Sequence, residues 1–152
     1  MKPLHTAKKC YVFVDCEAPP EKGAPSVADM TEFGAVEFES ETSFYGHDCS
    51  AETFAEFERW LHAMANGRRL IFVSDNPAFD FQWINFYFWK YSGGNPFGHS
   101  ARRIGDFFAG LKKNFDAQSD WKKWRVTRHD HNPVYDAMGN VEAFKRMLKE
   151  FE

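Results

Sequence analysis

Cysteine is scarce in this chain and poorly spaced for structural chemistry. Cys10, Cys16 and Cys49 make an odd number without a CxxC pair, which argues against a disulfide framework and against a zinc knuckle. They read as reduced, packed thiols. Long apolar runs are also missing: no segment approaches the roughly 20 apolar residues that a membrane span needs. The opening MKPLHTAKKC carries basic residues with no apolar stretch of signal-peptide length behind it, so the expected location is cytoplasmic. No repeat, low-complexity tract or long linker interrupts the sequence, and residues 1–152 read as one domain, long enough to bury a real core.

What is present is unevenly distributed. The net charge is only −3, yet residues 1–60 hold five Lys/Arg against twelve Asp/Glu, whereas residues 100–130 hold eight against four. The basic stretch, with its ARR, LKK and WKKWRVTR, suits either a polyanion footprint or a set of solvated helix faces. Seventeen Phe and five Trp bring the aromatic content to 18%, so rings must build the core or a binding surface.

The pattern along the chain predicts strands at the front and strand–helix alternation behind. CYVFVDC, residues 10–16, is a β-branched and aromatic run typical of a buried strand. EAPPEKGAPS follows as loop chemistry. In ADMTEFGAVEF two unlike faces alternate, and TSFYGH suits a hairpin partner. From the N-cap candidate Ser50 to Asn66, apolar residues recur at helical spacing. RRLIFVS reads as another buried strand. FDFQWINFYFWKY, aromatic on nearly every side, reads as a helix covered on more than one face and stopped at Gly93-Gly94. Residues 103–115 and 119–125 are expected to be helical, and a last helix is expected from Pro133 to Phe151, with Gly139 weakening its middle. The expected class is α/β or α+β, a sheet with helices packed on it.

Three acidic clusters fall on these elements. In VFVDCEA, residues two apart on a strand share a face, so Asp15 and Glu17 project together while Cys16 points to the opposite layer. Like charges so close repel unless a cation lies between them, and a hard divalent ion with oxygen ligands answers that need. Two acids at the solvated end of an edge strand answer it equally well. FVSDNPAFDF puts Asp75 at a strand end, Asn76-Pro77 at a turn and Asp80 in the first turn of the aromatic helix, where its charge also complements the helix N-terminus. HDHNPVYDA sets His131 on a loop before Pro133 and Asp136 one turn into the final helix. An imidazole there suits proton transfer near neutral pH, or plain capping.

In order, the motifs D-x-E on the first strand, N-x-x-F-D, and H-x-x-x-x-D followed by Ala resemble the DEDDh family of 3′-to-5′ exonucleases. The matching positions are Asp15 and Glu17, then Asn76, Phe79 and Asp80, then His131 and Asp136, spread over residues 10–148. The resemblance implies a ribonuclease H-like fold, with a mixed central sheet flanked by helices. It also implies hydrolysis assisted by two divalent ions, Mg²⁺ or Mn²⁺, held by Asp15, Glu17, Asp80 and Asp136 with Asp15 shared between them, and His131 as general base. Within the family the chain is similar to small exoribonucleases of the RNase T and oligoribonuclease kind, which implies single-stranded RNA, favoured over DNA, as substrate and nucleoside 5′-monophosphates as product. Small relatives of this kind are often homodimers, and the apolar surface of the aromatic helix suits that state.

Stacking would grip the terminal bases, with Phe33 and Phe79 as candidates. Arg102, Arg103, Lys122 and Lys123 are candidates for backbone contacts. Each of these has an ordinary alternative as core or solvated surface. The residues after Glu17, APPEKGAPS, depart from the Thr-rich or Gly-rich sequence many members carry there, which leaves base preference open. His129 is a second imidazole, and motif spacing selects His131 over it. Two other readings use the same residues: a 3′-to-5′ DNA exonuclease, and a non-catalytic nucleic-acid-binding protein on this fold. His129-Asp130 also echoes the HD phosphohydrolases, but those are helical and this chain opens with strands.

Overall fold

The computed structural model describes residues 3–19, 23–25 and 29–152. Residues 20–22 and 26 of the proline-rich loop expected after Glu17 therefore lie outside the described residues. The strand run extends a little beyond its apolar centre as β1 (Lys9–Glu17), followed by β2 (Glu32–Glu37) and β3 (Ser43–Gly46). Then come α1 (Ala51–Ala65), β4 (Arg69–Ser74), α2 (Pro77–Ser92), β5 (Ala101–Arg103), α3 (Ile104–Lys112), a 3-10 helix (Asp120–Trp124) and α4 (Pro133–Glu150).

Local chemistry sets most of the boundaries. The Ser50 hydroxyl accepts a hydrogen bond from the Thr53 amide at 3.2 Å and opens α1, and Asn66 closes it in the left-handed region at φ 45°. Gly93 ends α2 in the same way. The Asn132 side chain caps α4 by accepting from the amides of Val134 and Tyr135, with Pro133 in the first turn.

The strands order as β3-β2-β1-β4-β5. β1 pairs antiparallel with β2, and β2 antiparallel with β3, whereas β1–β4 and β4–β5 are parallel. This is an α/β architecture, a mixed five-stranded sheet with four α-helices, compatible with the ribonuclease H-like fold expected. Two elements differ from expectation. Residues 101–103 form β5, so the helical stretch expected from 103 begins only at Ile104, because the backbone of ARR completes pairing with β4 although its side chains carry no strand pattern. Within residues 119–125, expected to be helical, the helix is a short 3-10 one over Asp120–Trp124.

Strand alternation divides the core in two. Val12, Val14, Cys16, Phe33, Ala35 and Phe72 face α1 and α2, where they meet Phe54, Phe57, Leu61, Trp83, Ile84 and Phe88. Tyr11, Phe13, Val36, Phe38, Ile71 and Val73 face α3 and α4, where they meet Ile104, Phe108, Val141, Phe144 and Met147. Ring pairs such as Phe33–Phe57 at 4.9 Å and Phe54–Phe88 at 5.1 Å fill the first layer; geometry of this kind adds about 0.5–1.5 kcal/mol per pair beyond burial. The aromatic helix α2 buries Trp83, Ile84, Tyr87 and Phe88 and leaves Phe86 and Trp89 exposed. No helix of the described residues is long and apolar enough to cross a membrane.

Two glycines bring α4 to where it lies. Gly34 pairs with Asp15 across β1 and β2, and a Cβ there would stand 2.4 Å from Pro133 C and Val134 N. The first turn of α4 thus rests directly on the β2 backbone, beside Asp15. Gly139, expected only to weaken the helix, makes room for the Thr127 carbonyl, which would lie 3.2 Å from an added Cβ. Glu142 ties that crossing segment down by accepting from the Thr127 amide and hydroxyl, each at 2.7 Å. Gly34→Ala should force α4 away from the sheet and cost about 1–3 kcal/mol, as overpacking of a filled interior does. Urea denaturation measures this, and a variant with an unchanged midpoint would show that the close approach carries no strain.

Candidate metal centre

Asp15 and Glu17 stand on the face of β1 that looks toward α4, and Asp136 comes down from the first turn of α4. The three carboxylates offer oxygens that all lie within 4.8 Å of one another. Asp15 Oδ2 and both oxygens of Asp136 are buried without a hydrogen-bond partner. An orphaned buried carboxylate oxygen is costly, and three in one place amount to an unmet demand for positive charge. An all-oxygen donor set of this kind fits a hard divalent cation such as Mg²⁺ or Mn²⁺.

Asp80 reaches the same neighbourhood by another route. It sits in the first turn of α2, almost fully buried, and its Oδ1 accepts from the Cys16 amide at 2.9 Å. That contact ties α2 to the end of β1, and Cys16 Sγ adds a contact of 3.6 Å to the Asp80 carbonyl. Asp80 stays outside the three-carboxylate cluster, but its charge presses on Asp15.

The electrostatics record the crowding. Burial first, and then the charges of Asp80, Asp136 and Glu17, push the Asp15 carboxyl up to about 9. Burial lifts Asp80 to about 7 against the stabilising Cys16 amide. Glu17 and Asp136 are also raised, mainly by burial, with His131 opposing the rise at Glu17 and His129 opposing it at Asp136.

Both imidazoles hang over the acids. His131 Nδ1 lies 4.0 Å from Glu17 Oε1, and its side chain is 79% exposed. Its backbone is left-handed at φ 63°, an uncommon state for a residue other than glycine. Asp130 supports this turn by accepting from the Asn132 amide at 3.1 Å. His129 Nδ1 lies 3.0 Å from Asp136 Oδ1, out of hydrogen-bond alignment. The ring centroids are 5.1 Å apart.

The proposed substrate contacts fare unevenly. Phe33 is 0% exposed; it cannot stack on a base, because β2 alternation turns it into the ring-packed layer under α1. Phe79 is half-buried and packs edge-on to Trp83 at 6.2 Å. Asn76 opens α2 through its carbonyl, which accepts from the amides of Phe79 and Asp80. Arg102 is exposed, whereas Arg103 donates from Nε to the Asp75 carbonyl and pairs with Asp106 at 3.3 Å. Lys122 is taken up by Asp75 at 2.8 Å.

One residue was missed from sequence. Arg125 is mostly buried, donates twice to Asn140 Oδ1, approaches Asp75 at 3.6 Å and lies over the Trp121 ring. Its charge opposes the rise at Asp15. The available signal was Asn140, a polar residue one turn beyond Asp136 on the same face of α4.

No protein-family model matches the chain. A curated relative, the 3′-5′ DNA exonuclease Cap18 of Escherichia coli, is 28% identical over 112 residues. The match covers 64% of this chain and 56% of the relative, so the chain spans about half the length of the protein it matches.

The crowded carboxylates predict a pH dependence. Asp15 holds its proton in the folded state up to about 9, whereas an unfolded Asp releases it near 3.9. Between these values the native state binds more protons than the unfolded one, so stability falls as pH rises. Metal-free protein should therefore lose stability from about pH 4 to about pH 9. Asp15→Asn should flatten the slope and Mg²⁺ should reverse it. Thermal melts across pH, with EDTA or Mg²⁺, provide the check.

Proposed function

We propose that the chain is a metal-dependent 3′-to-5′ exonuclease that removes nucleoside 5′-monophosphates from single-stranded nucleic acid. The observation that carries this reading is the convergence of Asp15, Glu17 and Asp136, with the orphaned buried oxygens of Asp15 and Asp136, beneath an exposed imidazole. The similarity to a 3′-5′ DNA exonuclease supports the same class of reaction.

Asp15, Glu17 and Asp136 would hold one divalent ion, and Asp80 would share Asp15 with a second. Such ions supply Lewis-acid stabilisation of the phosphate and lower the pKa of the attacking water. His131 takes the proton of that water. Its backbone is held by the Asp130–Asn132 turn and the cap of α4, while its ring projects into solvent where substrate arrives. Asp80, anchored on the Cys16 amide, holds the end of β1 and the head of α2 in fixed relation. Asn76 and Phe79 lead into Asp80 at the head of α2, and Phe79 offers a partly exposed ring to a terminal base. Arg102, exposed and outside the acid pairs that take up Arg103 and Lys122, is a candidate for contact with a backbone phosphate.

The relative's name favours DNA, whereas the preference for RNA rests on the resemblance to small exoribonucleases, so the test uses both. Purified protein is incubated with 5′-labelled single-stranded RNA or DNA in Mg²⁺, Mn²⁺ or EDTA. A ladder shortening from the 3′ end in metal and absent in EDTA is expected. His131→Ala should lower the rate by about 10²- to 10⁴-fold, the usual worth of a positioned general base, and Asp15→Ala should abolish it. If wild-type protein leaves both strands intact in every metal, the reading fails and a binding protein on this fold takes its place.

A further inference from the structure

Asp136 belongs to two donor sets. One is the all-oxygen cluster with Asp15 and Glu17. The other consists of His129, His131 and Asp136, whose ligand atoms likewise lie within 4.8 Å of one another. We propose that this second set is a site for a borderline transition-metal ion of the Zn²⁺ or Co²⁺ class, overlapping the acidic centre through Asp136.

Three observations support it. The first is donor chemistry: imidazole nitrogen favours Zn²⁺ and Co²⁺, whereas carboxylate alone favours Mg²⁺ and Mn²⁺, so the two sets select different ions. The second is spacing. His129 Nδ1 stands 3.0 Å from Asp136 Oδ1, near the about 3.3 Å that separates two ligands on tetrahedral zinc with bonds of about 2.0–2.1 Å. Small rotations of the two exposed imidazoles complete the set. The third is unmet need: both Asp136 oxygens are buried and lack a hydrogen-bond partner, and the ion-pair contact of His129 leaves them so.

The local backbone also presents the pair. His129 and His131 flank Asp130, and the left-handed turn at His131, braced by Asp130 and the Asn132 cap, brings their rings to one side at 5.1 Å. The other histidines, His5, His47, His62 and His99, stand elsewhere in the sequence. Three protein donors leave a fourth position open, as in zinc sites that exchange water. An ion there engages His131 and one oxygen of Asp136, so zinc and the hard ion compete for Asp136.

The site is tested by calorimetric titration of the metal-free protein with ZnCl₂, and by visible absorption on adding CoCl₂. Neither uses nucleic acid, so the result is independent of the nuclease proposal. Disturbing even an outer partner of a metal-bound histidine weakens a site by about 10- to 100-fold, so loss of a ligand in His129→Gln should weaken Zn²⁺ binding by at least about tenfold. The cobalt band should disappear with it. His131→Gln, a change in an exposed side chain, should give the same loss, and Asp15→Asn should retain Zn²⁺ while losing Mn²⁺. Zn²⁺ binding undiminished in folded His129→Gln and His131→Gln, or abolished by Asp15→Asn, would overturn the assignment.

Discussion

Mutual repulsion among buried carboxylates is the constraint around which the rest of this molecule is arranged. Asp15, Glu17 and Asp136 are held together although burial penalises the charged form of each, and at Asp15 the charges of Asp80, Asp136 and Glu17 add to that penalty. Chain segments from a strand, a mid-chain helix and the last helix are all needed to create that crowding. Each is also secured by other contacts: β1 by pairing on both sides, α2 by its ring-packed layer, and α4 by its contact with Gly34 and by the crossing segment that Glu142 holds. The apolar layers thus hold in place an arrangement that charge alone would drive apart. A divalent cation would turn the same arrangement from a liability into a binding site.

Cations already in the chain only partly relieve it. Arg125 is close enough to ease the ionisation of Asp15, but its hydrogen bonds go to Asn140 and its charge is shared with Asp75. Lys122 is likewise spent on Asp75. Lys122 and Arg125 therefore brace the end of β4 against α4, with Trp121 buried beneath them, where composition left the basic stretch open between a polyanion footprint and solvated helix faces. His129 and His131 remain as the imidazoles nearest the acids, one beside Asp136 and the other beside Glu17.

The order of elements and the faces of β1 and β2 were legible in the sequence because strand alternation is a local property: Asp15 and Glu17 had to share a side, and Cys16 the other. The same was true of helix ends, since Ser50, Asn66, Gly93 and Asn132-Pro133 act within a few residues of themselves. Phe33 was misread for a related reason. Alternation told which residues it kept company with, but whether that face met solvent or α1 depended on packing. β5 was invisible because its three residues pair through backbone alone, and the bracing role of Arg125 because its partners Asp75 and Asn140 lie far away in the chain.

By itself, the sequence determined on which kind of element Asp15, Glu17, Asp80 and Asp136 would sit, because hydrophobic period, capping and turn preference are decided over a few residues. Only the tertiary structure decided how they meet: that Gly34 lets α4 rest on β2 beside Asp15, that Asp80 turns to the Cys16 amide and stands apart from the other three acids, and that His129 lies beside Asp136 while His131 lies beside Glu17. Those are distances between segments far apart in the chain. They follow from how close two backbones can pack, which no local pattern encodes.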